Sequence, residues 1–230
     1  SLFLISFGQL LGDINLKKVN ITVLKEMLRY SIPLIPNSLM WWIINSSNRY
    51  VITNFLGLSA NGIFAVSSKI PSLLNIAYSI FFQAWQMSAI EEFESKDKSN
   101  FYSNVFNIFS FIMILAASVI VFLLKIIINI IAEKSYFDSW KYVPFLLLGV
   151  LFSSFSGFLG TNYIAAKKTI GVFKSSAIGA IVNIVALFIL VPLIGINGAS
   201  VATMMSFFIM WIIRIKDTKD FAEIKVNWKR

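Results

Sequence analysis

Residues 103–131 read SNVFNIFSFIMILAASVIVFLLKIIINII, with Lys125 as the one charge in the run. A helix rises about 1.5 Å per residue and the hydrocarbon core of a bilayer is about 30 Å thick, so this segment crosses a membrane with residues to spare. Working outward, comparable apolar runs occupy residues 31–56, 62–90, 142–165, 170–191 and 194–213. Hydrophobic residues make up 57% of the 230 and charged residues only 13%, and the charges crowd into the stretches between runs. A soluble domain cannot hide that much apolar surface. The fold class expected is therefore all-α, a polytopic membrane bundle of about six transmembrane helices.

The connectors carry helix-ending punctuation. Gly57-Leu58-Ser59-Ala60-Asn61-Gly62 separates the first pair of spans and Pro192-Leu193-Ile194-Gly195 the last pair. Both turns are short and uncharged, which predicts antiparallel neighbours. With six crossings, Lys17, Lys18, Lys25, Arg29, Lys96, Lys98, Lys167, Lys168, Lys174, Arg214, Lys216, Lys219, Lys225, Lys229 and Arg230 fall on one side, against Lys125, Lys134 and Lys141 on the other. The crowded side, with the C-terminus, is expected to be cytoplasmic.

Residues 1–12 read as the end of a preceding transmembrane helix, which makes the chain the C-terminal piece of something longer. Residues 13–30 read as a cytoplasmic linker and amphipathic lead-in, 31–216 as a six-helix lobe and 217–230 as a cytoplasmic tail. The lead-in around Asn20 to Tyr30 reads equally as a solvated linker.

The chain has no cysteine and no histidine. Disulfides, Cys/His zinc sites, thiol or Ser-His-Asp nucleophiles and imidazole relays are excluded from this segment. No metal cluster, phosphate-cradling glycine loop or nucleophile elbow is present, so neither an enzyme nor a cofactor is expected. The net charge of +9 would suggest nucleic acid in a soluble protein; here the flanks of the spans account for it.

Two cations lie within the first two spans. Arg49 and Lys69 each stand about eight residues, or roughly 12 Å, from the turn that joins them. A cation at such depth costs a few kcal/mol unless it meets water, a partner or a ligand, and no Asp or Glu lies inside any span. At about 100° per residue, Ser68, Ser72, Asn75, Ser79, Gln83 and Gln86 form one stripe on the second span, with Lys69 at its margin. Asn37, Ser38, Asn45, Asn48 and Arg49 make a comparable face on the first, near Trp41. Such stripes can line a hydrated cavity, or can bond helix to helix while the cations snorkel to the interface. Pro33, Pro36 and Pro71 interrupt the same two helices and permit bending. Gly171, Ser175, Gly179 and Asn183, with Gly195, Ala199, Ala202 and Ser206, form small-residue seams expected to serve packing.

Further motifs carry a resemblance. Tyr30-Ser31-Ile32-Pro33-Leu34-Ile35-Pro36, Trp41-Trp42-Ile43 and Ser47-Asn48-Arg49-Tyr50-Val51-Ile52 resemble the opening of the second half of bacterial polysaccharide repeat-unit flippases of the Wzx type. That group belongs to the superfamily of multidrug and oligosaccharidyl-lipid exporters. The similarity continues through Gly62-Ile63-Phe64-Ala65-Val66-Ser67-Ser68-Lys69-Ile70-Pro71, Phe82-Gln83-Ala84-Trp85-Gln86 and Tyr163-Ile164-Ala165-Ala166-Lys167-Lys168 to Pro192-Leu193-Ile194-Gly195-Ile196-Asn197-Gly198-Ala199. Many relatives carry aspartate where this chain has Asn48, which puts carboxylate-based ion coupling at that position in doubt.

The resemblance implies one lobe of a two-lobe, alternating-access transporter in the bacterial cytoplasmic membrane. Its substrate would be an undecaprenyl-pyrophosphate-linked oligosaccharide used for surface polysaccharide such as O-antigen or capsule. Its partners would be membrane lipids, the N-terminal lobe and other polysaccharide-assembly proteins, without nucleic acid. The substrate-binding residues expected are Arg49, Lys69, Asn45, Asn48, Ser72, Asn75, Gln83 and Gln86. A cation-coupled multidrug exporter, a membrane enzyme of polysaccharide assembly and a scaffold subunit are the rival readings.

Overall fold

The computed structural model describes residues 20–32 and 34–219. The expected helix end at 1–12, the first part of the linker, Pro33 and the tail beyond Lys219 lie outside the described residues, as do the side chains of Pro36 and Asn37. The described elements are α1 (Ile21–Ser31), α2 (Leu34–Glu91), α3 (Lys98–Ile131), α4 (Val143–Ala165), α5 (Thr169–Ile194) and α6 (Ile196–Thr218), with 3-10 turns at Glu92–Glu94 and Lys134–Tyr142. No strand is found among the described residues. Five helical runs are long and apolar enough to cross a membrane.

The longest helix is two helices. At Gly57 the backbone takes φ 85° and ψ 176°, a region essentially closed to side-chain-bearing residues. The chain folds back there, and Val51 and Ile52 of the first arm (34–56) share a buried cluster with Phe64 of the second (58–91). Residues 58–61 are helical, so the expected six-residue turn contracts to this one glycine. The last hairpin behaves alike. Pro192 stays inside α5, and the reversal falls on Gly195 alone, at φ 64° and ψ −140°. Where lipid offers backbone groups no water to bond to, a turn of one residue leaves few N–H and C=O groups unpaired.

Both glycine turns lie at one end of the bundle with the Lys134–Tyr142 segment. Ser67 Oγ donates to Ser139 O at 3.0 Å, and the Tyr136 ring comes within 3.5 Å of where Gly62 would carry a Cβ. The opposite end gathers the turns at 91–98 and 165–169. There α1 begins at an Asn20 cap, with Asn20 Oδ1 accepting from Thr22 N, and Tyr30 Oη donates to Ile164 O. Among the described lysines, Lys125, Lys134 and Lys141 lie toward the first end and Lys96, Lys98, Lys167 and Lys168 toward the second.

Two devices hold the helices together. An aromatic stack joins the second arm, α3 and α4: Trp85 lies on Phe158 (centroids 4.1 Å apart, 11° between planes) and Phe81 on Phe109 (4.3 Å), while Trp85 Nε1 donates to Phe158 O. The other is Arg214 of α6. The sequence places it among the interfacial cations, yet its side chain is only 2% exposed. Its Nε donates to Ser175 Oγ (2.9 Å), Nη1 to Ser156 O (2.7 Å), and Nη2 to Ser176 Oγ (2.9 Å) and Val172 O (3.4 Å), tying α4, α5 and α6 into one unit. A Cβ on Gly160 would stand 2.7 Å from Nη1, so the guanidinium needs that glycine beside it.

The small-residue seam lies between α5 and α6, where Ser206 Oγ donates to Gly179 O at 2.9 Å and Ala199 and Ala202 are fully buried. Outside this core, α3 presents Phe111, Ile112, Leu115, Phe122 and Ile126 outward, an apolar surface suited to lipid.

Two outcomes follow for stability in detergent. Gly57→Ala is expected to cost roughly 1–3 kcal/mol through backbone strain, because open space surrounds the added methyl group, whereas Gly62→Ala meets only ordinary contacts and should be near neutral. Arg214→Ala leaves the two serines and two carbonyls without their donor and should cost about 3 kcal/mol or more. Thermal unfolding of the purified variants measures both; equal melting of Gly57→Ala and Gly62→Ala would exclude the strain argument.

Candidate functional site

Folding at Gly57 brings two polar faces together. Trp41, Asn45, Asn48 and Arg49 lie on one face of the first arm, and Phe64, Ser68, Pro71 and Asn75 recur at helical spacing on the second. These residues line a single cavity of about 380 Å³, closed by Leu146, Gly149, Val150 and Ser153 of α4 and by Thr203 and Phe207 of α6. Trp41 packs on Phe207 with centroids 4.9 Å apart, giving the cavity an aromatic wall.

Among the described residues of that lining, Arg49 is the only charged one. Among the described residues the one ion pair joins Lys141 and Asp138, on the 3-10 segment, so no carboxylate pairs with Arg49. Its side chain is exposed into the space it lines.

The neighbouring polar groups are largely occupied from one side. Asn45 Nδ2 donates to Trp41 O (2.9 Å) and Ser68 Oγ to Phe64 O (2.8 Å), in each case a bond back to the preceding helical turn. Asn48 is 3% exposed and donates through Nδ2 to Thr203 Oγ1 at 2.8 Å, and Thr203 in turn donates to Ala199 O at 2.9 Å. The other amide atom, Asn48 Oδ1, is buried with no hydrogen-bond partner in the structure.

Of the eight residues singled out from sequence, Asn45, Asn48, Arg49 and Asn75 meet in this cavity. Lys69, Ser72, Gln83 and Gln86 do not line it. Lys69 follows Ser68 by about 100° and points off the cavity face with an exposed side chain, and Ser72 Oγ is turned back to Lys69 O at 2.6 Å. Gln83 and Gln86 belong to later turns, nearer the lysine-rich end. Sequence periodicity measures one helix at a time, so it groups residues on one face of the second arm without fixing which of them reach the cavity: Ser68 and Asn75 do, Ser72, Gln83 and Gln86 do not. Thr203 carried no sequence signal: a single threonine in an apolar helix is ordinary, and only the crossing of α6 over the first arm selects it.

A larger cleft, about 1040 Å³, opens at the other end between α1 and the α4–α5 turn. Arg29, Lys167 and Lys168 there share the walls with Glu26 and Asp217, and Tyr163 Oη donates to Asp217 Oδ2 at 3.3 Å. Mixed signs on exposed side chains give it no defined ligand chemistry.

These 230 residues hold no cysteine, so each single substitution introduces the one thiol within them. Asn45→Cys and Asn75→Cys are expected to react with a membrane-impermeant maleimide in intact membranes, and Phe122→Cys, on the apolar outer surface of α3, to remain unlabelled. Uniform protection of positions 45 and 75 would mean that the cavity is dry.

No family model matches the chain. An uncharacterised membrane protein of Methanocaldococcus jannaschii is 28% identical over 171 residues, covering 71% of this chain and 33% of that protein. Among solved structures, the MATE transporter VcmN of Vibrio cholerae in its bent form superposes with a TM-score of 0.68 at 17% identity, over 89% of this chain and 48% of that one. A MOP-superfamily transporter of Pyrococcus furiosus gives 0.65 at 15% identity, over 89% and 47%. The chain thus spans about half the length of these structures and a third of the archaeal relative. It is a multi-pass membrane protein with the fold of one half of a MATE-type transporter.

Proposed function

We propose that this chain is one lobe of a flippase that moves undecaprenyl-pyrophosphate-linked oligosaccharide units across the bacterial cytoplasmic membrane by alternating access. The observation that carries the reading is Arg49, among the described residues the lone charge in the cavity wall and without a carboxylate partner. A guanidinium makes paired hydrogen bonds to phosphate oxygens, and an apolar surround strengthens that attraction. Asn45, Asn48 and Asn75 stand beside it to meet sugar groups, while the polyprenyl tail stays in lipid. The lysine-rich end faces the cytoplasm in this reading. A second lobe would complete the pathway, and Lys69, Ser72, Gln83 and Gln86 would extend the polar track along it. The motif resemblance around Arg49 and the half-transporter fold support the same assignment.

A drug exporter fits the fold equally, and one observation favours it: the aromatic wall of Trp41 and Phe207 would suit a flat apolar compound. The wall's charge argues the other way. A cationic drug would meet Arg49 with no carboxylate in the lining to offset it.

The test places Arg49→Ala in the full-length gene, in a strain deleted for the native copy. Surface polysaccharide is expected to fall at least tenfold, with the lipid-linked precursor held in the cytoplasmic leaflet and the protein at its normal level in the membrane. Normal export would remove Arg49 from the mechanism.

A further inference from the structure

Among the described α-helices, α1 alone has no buried residue. Its apolar side chains nevertheless fall on one side. At about 100° per residue, Ile21, Leu24, Leu28 and the C-cap residue Ile32 share an arc of about 80°, and they are between 45% and 78% exposed. Val23 and Met27 widen the arc at one edge, Lys25 and Arg29 border the other, and Glu26 stands opposite it. The flank opposite the arc holds α1 to the bundle: Tyr30 Oη donates to Ile164 O at 3.4 Å, and Glu26, Arg29 and Tyr30 line the cleft against the α4–α5 turn. The arc therefore looks away from the bundle. Ile164 is the last residue but one of α4, just before the Lys167-Lys168 turn, so the tether sits at the level where the spans meet the lipid head groups.

We infer that α1 is a membrane anchor: its apolar arc enters the lipid at the lysine-rich end of the bundle, and Lys25 and Arg29 pair with the phosphates of anionic phospholipids along the edge of that arc. At this level the acyl chains that surround the spans also cover four large apolar side chains, without a further partner. The placement of the cations fits the same occupant. Bordering the arc and not opposite it, they reach phosphates beside an inserted face while their stems stay in apolar surroundings. Lys167 and Lys168 across the cleft add charge of the same sign. The anchor requires the membrane fold alone and is independent of what the lobe carries. Because α2 starts at Leu34, three residues after α1 ends, the anchor sets the level at which the arm bearing Arg49 enters the membrane.

The experiment reconstitutes the full-length protein, with any thiol outside these 230 residues replaced, in vesicles of phosphatidylcholine alone or mixed equally with phosphatidylglycerol. A fluorophore on Leu24→Cys, Leu28→Cys or Glu26→Cys is quenched by lipid carrying a nitroxide on its acyl chain, and Phe122→Cys on the outer face of α3 reports correct insertion in both vesicle types. In the mixed vesicles, quenching at 24 and 28 is expected to exceed that at 26 by about twofold or more. Each cation near an anionic surface is worth about fivefold in partition, so Lys25→Gln combined with Arg29→Gln should lower the signal at 24 to its level in phosphatidylcholine alone, with Phe122→Cys unchanged. Equal quenching at 24 and 26 makes α1 a solvated linker and overturns the inference. So does protection of 24 and 28 from water-soluble and lipid quenchers alike, which places a second lobe or a second copy of the chain on the arc. Quenching at 24 that is the same in both vesicle types and in the double variant overturns the role given to anionic phosphates.

Discussion

The shape of this lobe depends on how few residues can reverse a chain that has no water to bond to. An ordinary loop at the end of a membrane hairpin exposes several unpaired N–H and C=O groups, each costly in an apolar surround. Here the two tightest reversals are each made by one residue in a backbone region that glycine alone occupies readily, Gly57 and Gly195. Placing the reversal at Gly57 also sets the register between the two arms of α2. Asn45, Asn48 and Arg49 consequently face Ser68 and Asn75, and a shift of one residue would rotate one face away by about 100°.

Rigidity around that hairpin comes from an inverted use of charge. Arg214 is buried among serines and carbonyls of two neighbouring helices, α4 and α5, and bonds outward through four contacts, so its charge is spread over fixed dipoles. Arg49 is the reverse case: open to a cavity and, among the described residues, unpaired by any carboxylate. A bundle that fully satisfies one guanidinium and leaves the other facing a cavity separates a structural cation from one available to a ligand. The aromatic stack of Trp85, Phe81, Phe109 and Phe158 then fixes the second arm against α3 and α4, which keeps the cavity's far wall in place.

The cavity itself is asymmetric in hydrogen-bonding character. Back-bonding to the preceding turn is the cheapest way for Ser, Thr and Asn to settle their donors inside a membrane helix, and it spends protons while leaving lone pairs. Ser68, Thr203 and Asn45 all do this. A wall built so is rich in acceptors as a consequence of helix geometry, and Arg49 supplies the donor fork.

The helical class and the two short hairpin turns were legible in the sequence, because each follows from local terms: apolar run length and glycine's conformational range. Half of the candidate site was legible for the same reason, since Asn45, Asn48, Arg49 and Asn75 share their helical phases with their own arm. What tertiary structure decided was which phase faces inward. Lys69 lies one residue beyond Ser68 and drops out of the cavity, Arg214 moves from the interfacial set into the core, and Thr203 enters the site from a helix 155 residues away. These depend on how helices cross and pack, and one helix's periodicity cannot specify the face its neighbours will cover.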